Sequence, residues 1–146
     1  MISCDSSVLI AAFARWHEHH KEAADAVSQV DALIDHTVIE AFSVLTRLPP
    51  PRRAPAALVA TFLRHHFPAS IARLSGPPAG DVIRTAEGTG IAGGAVYDLL
   101  IGLTAADAGA TLLSRECPWR GARAGLKMGL VAACDVVLAW RLGLRP

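Results

Sequence analysis

Short apolar segments alternate with longer stretches of helix-forming residues along most of the chain. Because parallel strands cannot be joined by a hairpin and need a crossover, usually a helix, this alternation predicts βαβ units. We therefore expect an α/β/α sandwich with a central parallel sheet of four to five strands, covered by helices on both faces. The predicted strands lie at residues 1–4, around Leu33 and Ile34, and at 69–74, 110–116 and 135–139.

Prolines and glycines mark the ends of the predicted helices. The prolines at 49–51 end one helix, because proline lacks the N–H group and clashes with the preceding turn. Pro55 starts the next helix, and Gly109 closes the last one as a C-cap. Ser6 or Ser7 is placed to cap the first helix. The predicted helices cover residues 6–14, 21–30, 38–48, 56–67, 81–89 and 95–108.

The composition excludes several classes of protein. With 146 residues, 52% of them apolar and 18% charged, the chain is suited to one folded domain over 1–146 and is not disordered. No uninterrupted apolar run reaches the roughly 18 residues of a membrane helix. Asp5 interrupts the first apolar segment and no basic residue precedes it, unlike in a secretory signal. We expect a cytoplasmic protein.

Cysteine use and net charge give weaker constraints. Cys4, Cys117 and Cys134 are odd in number and share no C-x-x-C spacing, so we expect buried, reduced thiols and no zinc site. The net charge of +1 gives no global signal for nucleic acid. The apolar richness predicts a surface that a partner covers, either in a homodimer or in a complex with another protein.

Carboxylates lie where an open α/β sheet forms its functional crevice, beyond the carboxyl ends of the strands. Asp5 and Glu116 follow predicted strands. Asp98 interrupts an apolar helix whose neighbouring residues on that face are small, which leaves room around the carboxylate. Glu40 shares a polar helical stripe with Arg47.

These four acids have the chemistry of a Mg²⁺ or Mn²⁺ site. Hard cations select oxygen ligands, and converging negative charges are tolerable when a cation offsets them. Each acid also has a purely structural interpretation: Asp5 as a helix cap, Glu40 as a solvated helix residue and Glu116 as a loop residue. For Asp98 the structural and functional interpretations stay equally open.

Four segments together resemble a known family. They are CDSSVLIAAF, HTVIEAFSVLTRLP, GGAVYDLLI and AGATLLSRE, in that order along residues 1–116. The chain resembles a PIN domain of the VapC-like toxin ribonucleases found in type II toxin–antitoxin modules. The resemblance implies a PIN-like sandwich, an endoribonuclease that uses Mg²⁺ or Mn²⁺, an RNA substrate and a cognate VapB-like antitoxin.

The resemblance assigns roles to individual residues. Asp5, Glu40 and Asp98 match the first three catalytic, metal-binding acids of the family. Glu116 falls where the family usually has an aspartate, and is predicted as the fourth. The hydroxyl groups of Ser7 and Ser114 are predicted to orient these ligands. The predicted RNA contacts are Arg47, whose guanidinium suits phosphate, and Arg115. For Arg47, an ion pair with Glu40 on the same helix is an equally open alternative.

The last thirty residues depart from the family pattern. Residues 117–146 are interrupted by glycines where the family usually has an amphipathic helix and a last strand, although Arg120, Arg123 and Lys127 keep a basic character. The alternative function is therefore a catalytically inactive PIN-fold binding module with an altered C-terminus. A phosphate-accepting receiver domain fits poorly, because Asp5 is followed by Ser-Ser and not by a second acid.

Overall fold

The computed structural model describes residues 1–115 and 132–134. The predictions for Glu116, for the basic residues of the tail, for the thiols of Cys117 and Cys134 and for a strand at 135–139 lie outside the described part. Within it, the helices are α1 (Ser6–Phe13), α2 (His20–Val27), α3 (Asp35–Arg47), α4 (Ala56–His66), α5 (Ala79–Thr89) and α6 (Ala95–Asp107). The strands are β1 (Ile2–Cys4), β2 (Ala32–Ile34), β3 (Ala72–Leu74), β4 (Thr111–Ser114) and β5 (Ala132–Cys134).

The strands pair as the helical crossovers require. β1 pairs with β4 in parallel, with Ile2 opposite Thr111 and Cys4 opposite Leu113. β2 pairs with β3, also in parallel. β5 pairs antiparallel with β4, so the sheet is mixed, as is common when an edge strand is added to a parallel sheet.

Asp31 joins the β1 and β2 sides of the sheet. Its N–H donates to the carbonyl of Ile2 at 3.1 Å, and its carboxylate accepts from the N–H of Ile2 at 2.6 Å. The short strands β2 and β3 are thereby connected to the sheet that carries β1 and β4. The predicted α/β sandwich is confirmed, and this connection accounts for how its two strand groups meet.

Several details of the predicted helices are wrong. α2 ends at Val27 and not at residue 30, and α5 begins at Ala79 and not at residue 81. α3 begins at Asp35 and not at residue 38, because Asp35 to Thr37 continue directly from β2 and an acid in the first turn suits the helix dipole. The cap of α1 is Asp5, whose side chain accepts from the N–H of Val8, and not Ser6 or Ser7. The hydroxyl of Ser7 donates to Asp5 instead.

The main core lies between α1 and the helices that pack on it. Val8 and Leu9 of α1 are completely buried and belong to one cluster with Leu33, Leu45 and Val59. The apolar content of α1 is therefore explained by burial.

Cys4 is a free, buried thiol in this core, as predicted, and burial together with the charge of Asp5 raises its pKa. None of the helices within residues 1–115 combines the length and apolar content of a transmembrane segment.

Candidate active site

Asp5 lies at the carboxyl end of β1, where it also begins α1. Its N–H donates to the carbonyl of Leu113 at 2.9 Å, which fixes the residue against β4. Its Oδ1 accepts from the N–H of Val8 at 3.1 Å and from the hydroxyl of Ser7 at 2.7 Å. One carboxylate thus caps the helix and lies at the strand end where α/β sheets bind ligands.

Burial raises the pKa of Asp5 above its ordinary value. Hydrogen bonds from the hydroxyls of Ser114 and Ser7, and from the N–H groups of Val8 and Ser7, act in the opposite direction and offset only part of this effect. The charged carboxylate is therefore less favourable here than in water. A cation beside it would favour the charged form.

Ser7 connects Asp5 to the end of β4. The N–H of Arg115 donates to the hydroxyl oxygen of Ser7 at 3.1 Å, and the same hydroxyl donates to Asp5. Ser114, which is buried, adds a second hydroxyl beside the carboxylate. The parallel pairing of β1 with β4 therefore brings Asp5 and Ser7 next to Ser114 and Arg115, although the two pairs are more than 100 residues apart in the chain.

Glu40 lies on α3 and has one carboxylate oxygen, Oε2, that is buried without a hydrogen-bond partner among the described residues. An unsatisfied buried carboxylate oxygen is unfavourable, so it is compatible with a cation ligand. The alternative of an ion pair with Arg47 is not seen within residues 1–115. Arg47 is exposed in the last turn of α3, where a cation suits the helix dipole.

Asp98 lies in the first turn of α6 and is exposed, so its carboxylate does not interrupt a buried face. The start of α6 is close to the start of α3, because the rings of Tyr97 and His36 stack with their centroids 4.8 Å apart. His36 precedes Glu40 by one helical turn. This ring pair therefore brings the segments that carry Glu40 and Asp98 next to each other.

The donor chemistry of these residues fits a hard divalent cation, since all are carboxylates and Glu40 has an unsatisfied oxygen. In the part of the chain that the structure describes, no three His, Cys, Asp or Glu side chains form a group that could hold a metal ion. The predicted fourth ligand, Glu116, is outside that part. The complete set of four ligands stays a prediction.

The sequence interpretation missed His17. Burial and the positive charge of Arg115 lower the pKa of His17, which favours the neutral imidazole. The sequence predicts that the segment Trp-His-Glu-His-His is a polar connection, with Trp16 as a conceivable stacking partner for RNA bases and packing as the more common role of a tryptophan. Its mixture of aromatic and basic side chains is the signal that could have identified it as part of a binding surface.

Comparison with known proteins agrees with the geometry. The PIN domain family matches residues 2–116. Over 116 residues the chain is 40% identical to Ribonuclease VapC40 of Mycobacterium tuberculosis, which covers 80% of this chain and 87% of that protein. It is 35% identical to Ribonuclease VapC27 of the same species over 116 residues, or 79% of this chain and 84% of the relative.

A solved structure shares the fold. The crystal structure of Mycobacterium tuberculosis VapC20, a Sarcin-Ricin loop cleaving toxin, superposes with a TM-score of 0.53. It covers 76% of this chain and 85% of VapC20 at 15% sequence identity, so this likeness concerns the fold alone. By its sequence match and its relatives, the chain belongs to the PIN-domain family and is similar within it to the VapC toxins.

Proposed function

We propose that this protein is a metal-dependent endoribonuclease toxin that hydrolyses RNA phosphodiester bonds and is neutralised by a cognate VapB-like antitoxin. The observation that carries the proposal is the half-buried Asp5 carboxylate, which the hydroxyl of Ser7 and the N–H of Val8 hold at the end of β1. Two relatives at 40% and 35% identity are named ribonucleases, which supports the RNA substrate.

Asp5, Glu40, Asp98 and Glu116 would hold Mg²⁺ or Mn²⁺. When bound, such a cation makes water more acidic and stabilises negative charge on phosphoryl oxygens. The unsatisfied oxygen of Glu40 supports this assignment, because a cation would give it a partner.

The other residues of the site have positioning and binding roles. Ser7 and Ser114 hold the Asp5 carboxylate in one orientation, since both hydroxyls hydrogen-bond to it. The guanidinium of Arg115 has a buried Nε without a hydrogen-bond partner among the described residues, which suits a phosphate contact. The exposed Arg47 would contact the RNA backbone further along α3.

Exposed apolar side chains support partner binding. Ile39 on α3, Ile83 on α5 and Tyr97 on α6 are 66%, 64% and 52% exposed. We assign these exposed side chains to contacts with the antitoxin and with a second copy of the chain. We also propose that the protein meets its RNA substrate in the cytoplasm. Light scattering tests the dimer, and a monomer mass at micromolar concentration would contradict it.

Co-expression tests the antitoxin, since failure to co-purify with VapB-like proteins would count against that partner.

The nuclease activity is tested with a pool of structured RNAs, Mg²⁺ or Mn²⁺, and an EDTA control. We expect cleavage that EDTA abolishes and that falls at least about 100-fold in Asp5→Asn, Glu40→Gln and Asp98→Asn, because each removes a charge from the predicted metal site. Asp107→Asn, at the exposed end of α6, is the matched control and should cleave normally.

Three results would contradict the proposal. Cleavage that persists in EDTA would exclude the metal requirement. No cleavage by a protein with normal circular dichroism would favour the alternative, an inactive PIN-fold module that binds RNA or an antitoxin without cutting. Equal loss of activity in Asp107→Asn would show that the carboxylates act through net charge and not through the site.

A further inference from the structure

Two aromatic rings lie between the segments that carry Glu40 and Asp98. The imidazole of His36 and the ring of Tyr97 stack with their centroids 4.8 Å apart and their planes at 15° to each other. His36 precedes Glu40 by one turn of α3, so their Cβ atoms are about 5–6 Å apart. Tyr97 directly precedes Asp98 in α6, where consecutive Cα atoms are about 3.8 Å apart. We call His36 and Tyr97 the ring pair, and helix geometry places it beside both candidate acids.

Tyr97 leaves one face of its ring open. His36 covers the other face, and yet the residue is 52% exposed. Its neighbours on α6 pack elsewhere, since Val96, Leu99 and Leu100 belong to a hydrophobic cluster with residues of α5. Burial in the core therefore does not explain the position of this ring.

The residues one turn before Tyr97 bring no side chains to this surface. They are Gly93 and Gly94, and a Cβ atom at either position would have no atom of the described residues within 4 Å. Aromatic side chains in a helix lean toward this N-terminal side. The exposed part of the ring thus borders open space, which a second flat group can enter.

An RNA base is the flat group that the proposed function supplies. Bases that are not paired in a helix stack on exposed aromatic rings, whereas phosphates need positive charge. The carboxylates of Glu40 and Asp98 repel a phosphate unless a cation is present, but they do not repel an uncharged base. The ring pair therefore suits the base of a nucleotide, and the acids with their cation suit its phosphate.

We propose that an unpaired base next to the cleaved phosphate stacks on the open face of Tyr97, so that the base, Tyr97 and His36 form one continuous stack. This inference rests on the proposed ribonuclease function. It assigns Tyr97 as a residue that selects unpaired RNA and His36 as the positioning residue that holds the ring. A protein partner that covers this ring, as proposed above, would compete with the base for the same face.

Binding is measured with the full-length Asp5→Asn protein in Mg²⁺ buffer, so that RNA is not consumed. The probes are a short mixed-sequence RNA strand and an abasic strand of the same length and charge. Tyr97→Ala should weaken binding of the mixed strand by about ten-fold and leave the abasic strand unchanged, because only bases stack. Tyr97→Phe should retain most of the affinity, because it keeps the ring and loses only the hydroxyl.

The role of His36 is tested separately. His36→Ala removes the ring behind Tyr97 and should weaken binding of the mixed strand only, by less than Tyr97→Ala does, since the open face of Tyr97 remains. His36→Phe keeps a ring at this position and should restore the affinity. Unchanged binding by His36→Ala would overturn the positioning role of His36.

Two control variants address exposure alone. Leu58→Ala removes a similarly exposed apolar side chain from α4, and Trp16→Ala removes another exposed aromatic ring. Both should bind the mixed strand as the Asp5→Asn protein does, since neither residue belongs to the ring pair. Equal losses in Tyr97→Ala and Leu58→Ala would overturn the proposal. A base-dependent loss in Trp16→Ala and not in Tyr97→Ala would overturn it as well.

Tyr97 is the one tyrosine of the chain, which gives an independent readout. Labelling of the full-length Asp5→Asn protein with 3-fluorotyrosine therefore gives a single fluorine resonance, located at this ring. The ring current of a stacked base should shift the resonance, so the mixed strand should shift it and the abasic strand should not. Equal shifts with both strands, or no shift with either, would contradict the stack.

Three further outcomes separate the hypotheses. Cleavage of RNA by the unmodified protein without a base-dependent shift at Tyr97 would overturn the stack and leave the nuclease proposal intact. A base-dependent shift without cleavage by the unmodified protein would support the stack and contradict the nuclease proposal. If Tyr97→Ala binds both strands normally and loses only its association with an antitoxin, the ring is a protein contact alone and the proposal is wrong.

Discussion

The hydrogen bonds to Asp5 do not outweigh its burial, and its pKa is raised as a result. The folded protein therefore holds a negative charge that is more favourable in the unfolded chain. Ser7 and Ser114 fix where that charge lies. The hydrogen bonds therefore hold the carboxylate in one position, although its charge lowers the stability of the fold. Functional sites commonly lower stability in this way, because the charged groups that bind a ligand are unfavourable in the folded protein when the ligand is absent.

Asp5→Asn should make the protein more stable at neutral pH. Asparagine keeps an oxygen that can cap α1, and it removes the unfavourable charge. Since the folded pKa of Asp5 is raised, its contribution to stability is present at acid pH and is lost as pH rises through the folded pKa. The gain in the variant should therefore be largest at neutral pH and disappear toward acid pH.

Thermal unfolding in EDTA buffer measures this effect, with a rise in Tm on the order of 3 °C for each kcal/mol that the charge costs. EDTA is needed because a bound cation would stabilise the wild-type carboxylate. A constant difference in Tm between the two proteins at all pH values would contradict the prediction, and Asp107→Asn is the control for a general charge effect.

Part of the site could be predicted from individual residues and part could not. Asp5 and Ser114 follow from the rule that acids and hydroxyls at parallel strand ends meet at one edge of the sheet. The unsatisfied oxygen of Glu40 and the stacking of His36 on Tyr97 depend on how α3 packs. No pattern along the chain encodes such contacts. The assignment of Glu40, Asp98 and Glu116 as metal ligands stays a prediction.

Elements that end at proline or glycine are the ones that the sequence predicts best. The predicted helices at 56–67 and 95–108 agree closely with Ala56–His66 and Ala95–Asp107, because Pro55 and Gly109 act through the backbone alone. The start of α3 was missed because Asp35 to Thr37 are polar, and only the tertiary structure buries Thr37 completely. Local rules fail where burial of a polar residue decides the boundary.

The contact between the β3–α5 loop and α6 depends on a glycine. A Cβ at Gly76 would lie 2.7 Å from the Oγ1 of Thr104 and 3.2 Å from the side chain of Leu100. Thr104 is buried, and its hydroxyl donates to the carbonyl of Leu100 at 2.7 Å, so it cannot easily move away. The loop can approach α6 this closely only without a side chain at residue 76.

Gly76→Ala should destabilise the protein by about 1–3 kcal/mol, the usual cost of a forced contact in a packed region. Gly88→Ala is the matched control, because Gly88 lies in α5 with nothing within 4 Å of its Cβ position. It should stabilise the helix by about 0.5–1 kcal/mol. Urea unfolding measures both variants. An unfolding midpoint of Gly76→Ala equal to that of the unmodified protein would show that the loop moves aside without loss of stability.

At the scale of the whole molecule, β1 connects the parts of the fold. It pairs with β4 on one side and is joined to the β2 side through Asp31 on the other. Two small strand groups therefore depend on one three-residue strand. Loss of either connection should loosen the start of β1 and, with it, the position of Asp5.

Asp31→Ala should lower the free energy of unfolding by about 1 kcal/mol, because the N–H of Ile2 loses its acceptor. Asp31→Asn is the matched control, since its amide oxygen can still accept this hydrogen bond. Urea unfolding measures stability, and amide exchange reports on Ile2 directly. Unchanged exchange at Ile2 in Asp31→Ala would contradict the connecting role of this carboxylate.

The hydrogen bond from Arg115 to Ser7 closes a loop of 108 residues, so the two sides of the candidate site are synthesised at different times. During translation the segment with Asp5 leaves the ribosome first, but its partners on β4 are among the last described residues to be made. At about 5–20 residues per second, the interval between them is on the order of ten seconds. Throughout that interval the nascent chain has the first acid of its site but not the strand that positions it. The candidate site can therefore assemble only when synthesis of the domain is nearly finished.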